Sequence, residues 1–324
     1  MRDVREVQRH SVGVEGTARA LDGIAVRTWT RYDRMYADPA PERLREMGDE
    51  LLDHVAARTA VDGRLDGTAR EALLTAAQCA LGVLGIGCFP GGDQEVPLPL
   101  VNETASSEDF DFRSAVTAAP TARTWLDAFE AAVVSGLVWD WRKVSGLLLR
   151  DDYAPALRDG VPYSPHTSRS EPSDLAAMDA LCGYLAASTG HRPGDWPTVP
   201  LCKPDAATRA GAARRLDDAG PLTADQRLLR VLLDDDRAAF EEALADRLTA
   251  HRASAEAEPD PAPRTLLPLG PLALAALAVQ THRWELGVRS GYLPPELLGS
   301  ADAMDLAART EVNRLGGWVA ADAP

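Results

Sequence analysis

Along most of this chain apolar residues recur every three or four positions, the spacing that gathers them on one face of an α-helix. Leu44, Met47, Leu51, Leu52 and Val55 keep that spacing behind Pro41 and Glu42, an ordinary helix start. After the turn VDGRLDG the period returns in Leu73, Leu74, Ala77, Leu81 and Leu84, so residues 68–84 are predicted as a second helix, paired with the first as an antiparallel hairpin. Ile24 to Tyr36, with Val26, Trp29 and Met35 at roughly helical spacing, is predicted as an earlier helix that Pro39 and Pro41 end. The same reasoning predicts helices over 121–134, 140–149, 173–188 (Ser173 as its cap), 206–216, 223–233 and 237–252. Thr223 and Gln226 spell a capping box, and one of Asp234, Asp235 and Asp236 should cap the helix that follows.

One stretch departs from the striped pattern. From Leu269 to Gln280 no residue is ionisable, and Leu272, Leu274, Ala275, Leu277, Ala278 and Val279 cover almost the whole circumference of a helix. A helix apolar all round is a buried one. About a dozen residues is short of the roughly 20 that cross a bilayer, so the run Leu266–Leu298 is expected to lie at the heart of the fold. No segment alternates with period two for long enough to argue a sheet. The predicted class is all-α: helical hairpins stacked as an irregular, TPR-like α-solenoid or a compact helical array, without a clean repeat of the roughly 34-residue TPR period.

Two segments carry little pattern. Residues 1–23 are expected as a weakly ordered lead-in to a single helical domain over 24–324, and about 89–114 as a long irregular connection. That connection, PGGDQEVPLPLVNETASSEDFDF, reads as a solvated spacer, a domain boundary or a recognition loop. On the last reading Glu103, Glu108, Asp109 and Asp111 are candidate partner contacts. Asp234, Asp235 and Asp236 join them as an acidic patch, and Trp196 as an interface anchor in a loop-like context, a context Trp318 shares. Trp125, Trp139 and Trp141 read as packed core.

Composition narrows the function. Lys and Arg total 34 against 49 Asp and Glu, a formal charge of -15, which disfavours nucleic acid and suits either plain solubility or a basic protein partner. Cys79, Cys88, Cys182 and Cys202 lack zinc-ligand spacing and a disulfide framework, and the six histidines make no HExxH, so no metal is expected. Gly82 to Gly87 reads as the end of a helix rather than a dinucleotide loop, and no nucleophile elbow is present. No catalytic residue or cofactor is predicted. The charged N-terminus, MRDVREVQRH, has no apolar h-region, so the expected location is the cytoplasm, with no membrane contact.

The order of blocks adds a resemblance. An AFEEALADRLTAHRA helix, an acidic Pro-rich loop, LPLGPLALAALA and then SGYLPPELL together resemble the C-terminal half of the immunity protein 49 family of bacterial polymorphic-toxin systems, from about Arg123 to Leu298. The resemblance implies a mostly α-helical, non-enzymatic protein encoded beside a toxin domain, which it binds and neutralises. Two other readings stay open: a stand-alone α-solenoid adaptor for host proteins, and a hydrolase with an unrecognised carboxylate pair. A carboxylate pushed strongly upward in a deep pocket would mark the hydrolase.

Overall fold

The structure, a computed structural model, describes residues 5–139, 145–188, 196–197 and 199–309. It opens with strand β1 (Arg5–Val7) and helices α1 (Val14–Leu21), α2 (Ile24–Met35), α3 (Pro41–Val61) and α4 (Gly67–Cys88). Pro41 starts α3 and the Asp66 carboxylate caps α4 by accepting from the Ala69 N–H. The two long helices pack together as the predicted hairpin.

Strands β2 (Glu95–Leu98) and β3 (Glu103–Ser106), then α5 (Phe112–Ala115) and α6 (Ala122–Val134), follow. Next come α7 (Ser145–Leu147), a π-helical turn (Leu148–Tyr153), α8 (Ala154–Arg158) and α9 (Pro172–Cys182). Helices α10 (Ala206–Asp218), α11 (Ala224–Leu233), α12 (Arg237–Glu256) and α13 (Leu269–Gln280), strand β4 (Val288–Ser290), α14 (Pro295–Leu298) and α15 (Ala303–Arg309) complete it. Helices dominate and the strands form only two-stranded pieces, so the chain is all-α.

Helix α13 packs against α6, α11, α12 and α14, and α6 in turn against α4, α9 and α13. In a solenoid each unit touches only its neighbours, so closure of distant helices around α13 makes this a compact array. Every residue of α13 from Gly270 to Ala278 is buried, the environment its charge-free sequence demands. Trp125 on α6 is fully buried, stacked on Phe129 at 5.1 Å, and its indole N–H donates to the Leu149 carbonyl at 2.9 Å. Helix α4 is long and apolar enough to span a bilayer by length and composition, but its most apolar window is 83% buried inside the protein. It is therefore a second core helix.

Several expectations are corrected. Residues 5–23 are not a loose lead-in. Strand β1 pairs in parallel with β4, Arg5 opposite Val288 and Val7 opposite Ser290. Behind it, His10 is buried: its Nδ1 lies 2.6 Å from the Tyr292 hydroxyl and its Nε2 2.9 Å from the Thr265 hydroxyl. The connection at 89–114 is not irregular throughout, because β2 and β3 form an antiparallel hairpin from Glu95 opposite Ser106 to Leu98 opposite Glu103.

The glycines at 82–87 form the last turns of a helix, as expected, and that helix runs on to Cys88. They lie inside α4, where a methyl group on Gly82 would come within 2.6 Å of Val96 and one on Gly87 within 2.9 Å of Pro120. Their absent side chains let the hairpin and the segment before α6 approach the helix backbone. Helix α9 starts at Pro172, so Ser173 is not its cap, and it stops at Cys182. Trp141 and Trp318, and part of the helix expected over 140–149, lie outside the described residues.

Candidate partner-binding surface

The structure separates the predicted site residues into two groups. Asp234, Asp235 and Asp236 join α11 to α12, and each has an internal partner. Asp236 caps α12, its Oδ1 accepting from the Ala238 and Ala239 N–H groups at 2.9 and 3.1 Å. Asp234 pairs with Arg230 one turn back. Asp235, in a left-handed backbone conformation at φ 62°, turns inward to Lys203 at 2.6 Å, Arg209 at 3.0 Å and His282 Nδ1 at 2.8 Å.

Beyond His282 the chain of hydrogen bonds ends on the Tyr184 hydroxyl, 2.9 Å from Nε2. Burial lowers His282 to about 4, so the ring is neutral at pH 7, with its Nδ1–H donating to Asp235 and Nε2 accepting from Tyr184. Burial pushes Asp235 up, but hydrogen bonds from Lys203 and His282 hold its carboxyl below the usual range. The series has the order of a catalytic relay. Tyr184 is fully buried, however, and its hydroxyl is pushed upward by that burial, so no substrate reaches it and the network is structural.

The acids of the 103–111 segment differ in their lack of cationic partners. Glu108, Asp109 and Asp111 are exposed and Glu103 half-exposed. Asp111 caps the short α5, its Oδ1 accepting from the Ser114 N–H at 3.2 Å, and its carboxyl is lowered first by the Ser114 side chain and then by that backbone contact. Among the described residues no cation comes within ion-pair distance of Glu103, Glu108 or Asp109.

These acids flank an aromatic cluster. Phe110, buried, packs on Tyr36 with ring centroids 4.7 Å apart and on Tyr32 at 5.9 Å, and the Tyr32 hydroxyl lies 3.3 Å from that of Tyr36. The Tyr32 hydroxyl is pushed upward, first by the Tyr36 hydrogen bond, then by burial and by the charges of Glu103 and Asp109. Helix α2 and the hairpin's acidic end are therefore one surface.

Helix α2 forms as expected, and the structure settles which of its faces meets solvent. Ile24, Thr28, Tyr32 and Met35 are buried, whereas Val26 is 71% exposed and Trp29 50%. Spacing alone does not choose between two stripes on one helix. A stripe at i, i+4, i+8 and i+11 runs through Ile24 and Met35, but Thr28 in its middle makes it look less apolar than it is. Trp196 is half-buried at a bend and none of these groups includes it.

Cavities offer little for chemistry. One of about 390 Å³ lies between α4, α6 and α14, lined by Leu73, Leu74, Val134, Trp139 and Leu297, with the Trp139 indole donating to Gln280 at 2.7 Å. Trp139 is thus half in the core and half on a cavity wall. A second of about 340 Å³ lies between α3, α4 and α6 and holds Asp49, Asp127 and Glu130 over an apolar floor. Burial pushes Glu130 up to about 7 although Arg123 pairs with it at 3.0 Å; Arg123 also holds Asp127.

The cysteines are free, and burial pushes Cys79, Cys88 and Cys182 up to about 12, so these thiols are inert. Among the described residues no group of three His, Cys, Asp or Glu side chains could hold a metal ion.

Compared with known proteins, residues 59–297 match the family profile described as Immunity protein 49. No curated protein and no solved structure matches the chain. The match begins well ahead of Arg123, where the block resemblance starts, and takes in the hairpin β2–β3 but not α2.

Proposed function

From the premise that the chain belongs to the immunity protein 49 family, we propose that it is a cytoplasmic immunity protein that binds a cognate polymorphic toxin and blocks it without catalysis. The observation that carries this reading is the match over residues 59–297, which spans the core from α4 to α14. The buried relay at His282 and the inert thiols agree with a scaffold whose work is done at its surface. An acidic chain of charge -15 would meet a basic toxin domain with complementary potential, which speeds encounter.

Co-expression with the toxin domain encoded beside the gene is the direct test. The expected result is survival of the host cell and a stable complex on gel filtration. Survival without a complex, or killing despite good expression of the immunity protein, would sink the proposal.

One observation favours a second reading, a hydrolase that destroys the toxin's product or substrate. Glu130, pushed up to about 7 in a cavity that Asp127 also lines, has the protonation of a general acid. Glu130→Gln distinguishes the two. An inhibitor keeps both binding and protection, whereas a hydrolase loses protection while the complex persists or never forms.

A further inference from the structure

Seven large apolar side chains are exposed among the described residues, and three of them, Val26, Trp29 and Tyr36, belong to α2 and the residue that ends it. At about 100° per residue these three fall within roughly 80° of arc, so they form one strip, off to the side of the buried face. Asp33 falls inside the same arc. Tyr36 is tied down through its ring contact with Phe110, while the Trp29 side chain has no ring partner and no hydrogen bond among the described residues. A tryptophan left half in water on a rigid helix contributes little to this fold, and large aromatics of this kind are what protein interfaces use as anchors.

The charges around the strip specify its partner. Two cations on the other side of α2 are already satisfied: Arg27 and Arg31 both reach Glu50, and Arg31 also reaches Glu46 at 3.2 Å. On the strip side Asp33, Glu103, Glu108 and Asp109 have no cation at ion-pair distance among the described residues. Arg34 and Arg113 are the exposed cations at the margins. Unneutralised carboxylates therefore outnumber free cations around an aromatic centre.

We infer that Val26, Trp29 and Tyr36, with the acidic 103–111 segment beside them, form the docking surface for a basic face of the toxin. The inference rests on the immunity reading and adds where the toxin docks and what chemistry it brings. Lys or Arg side chains of the toxin lay their stems on the Trp29 and Tyr36 rings and their charges against Asp33, Glu103 and Asp109. Helix α2 lies ahead of the residues that match the family profile. The aromatic half of the surface therefore lies outside the matched residues, whereas the acidic half lies within them.

The test uses the full chain and the toxin domain encoded beside its gene, in a kinetic binding assay. Trp29→Ser should weaken binding at least tenfold, mainly through faster dissociation, with the melting temperature unchanged. Asp33→Asn should slow association at low salt. Val14→Ser combined with Val61→Ser, exposed apolar positions on other helices, serves as control and should bind as the parent does. If the parent binds while Trp29→Ser and Asp33→Asn bind equally well, the docking surface is wrong and the immunity reading stands. A loss confined to the Val14/Val61 control moves the dock elsewhere with the same consequence. If the parent itself does not bind, the immunity reading fails and this surface fails with it.

Discussion

The two acidic segments, Asp234–Asp236 and Glu103–Asp111, look alike as strings of carboxylates but do opposite work. In the first every carboxylate is consumed inside the molecule: one faces Arg230, one holds Lys203, Arg209 and His282, and one caps α12. In the second only Asp111 has such a duty, capping α5. A carboxylate paired within hydrogen-bond distance sends little field into solvent, whereas an unpaired exposed one contributes fully to the surface potential. The formal charge of -15 therefore says less about where a partner binds than does the location of the uncompensated acids.

The sharpest way to break the contrast is through His282. Above about pH 6.5 both the folded and unfolded chains hold this histidine neutral; between about 6.5 and 4 only the unfolded chain takes up the proton; below 4 both do. Stability from this group is thus present above 6.5 and is lost as pH falls toward 4, in total about 3 kcal/mol at about 1.36 kcal/mol per pH unit. Glu130 runs the other way. Raised from 4.5 to about 7, it favours the fold below 4.5 and loses that contribution as pH rises through 7, so in the parent the two limbs offset.

His282→Gln removes one limb. The stability difference between parent and variant, followed by denaturant unfolding, should shrink as pH drops from 7 to 4. A constant difference would mean that the Asp235 network is not the buried unit described. Next in size is Asp235→Asn, which keeps a side chain that tolerates the left-handed backbone but removes the charge facing Lys203, Arg209 and His282. A cost of about 2 kcal/mol is expected from unfolding curves. Glu108→Gln should cost nothing measurable.

Much of the fold was legible because helices advertise themselves at a fixed period. The hairpin α3–α4, the capping box of Thr223 and Gln226, and the buried α13 all come from local patterns of three or four residues. What was not legible depended on distant partners. Nothing near Asp235 in the chain announces Lys203, Arg209 or His282, so it reads as a free acid when it is the centre of a network. Strand β1 spans three residues and the β2–β3 pair four each, too short for a period-two signal, and Pro97 weakens it further. On α2 the spacing of Val26, Trp29 and Met35 marks a helix without marking its buried face, and the fold buries Thr28 and leaves Val26 and Trp29 in water. That placement is informative, because apolar residues that the core declines to use are available to a partner.

Smaller effects separate the three aspartates from one another. Asp236→Ala should lower stability by about 1 kcal/mol, the ordinary value of an N-cap, read as a shift in the urea midpoint. Asp234→Ala removes only a surface pair with Arg230, and about 0.5 kcal/mol or less is expected. A ranking in which Asp234 outweighs Asp235 would overturn the account of which acid points inward.

The smallest effect on stability belongs to the loop acids, and there the contrast turns from folding to binding. Glu103→Gln, Glu108→Gln and Asp109→Asn together remove three charges that no internal cation compensates, so the melting temperature should stay within about 1 °C of the parent, matching a change of a few tenths of a kcal/mol. Association with the toxin domain should behave differently. Charges at a rim act mainly on the rate of encounter, and screening removes attraction beyond about 8 Å at physiological ionic strength. The triple variant should therefore associate more slowly than the parent at low salt, with the two rates converging as salt rises and dissociation nearly unchanged. Asp234→Asn should leave the rate and its salt dependence where they were, because Arg230 already cancels that charge. Equal losses in association from both segments would show that only the chain's overall charge steers the toxin, and the distinction between compensated and uncompensated acids would lose its functional meaning.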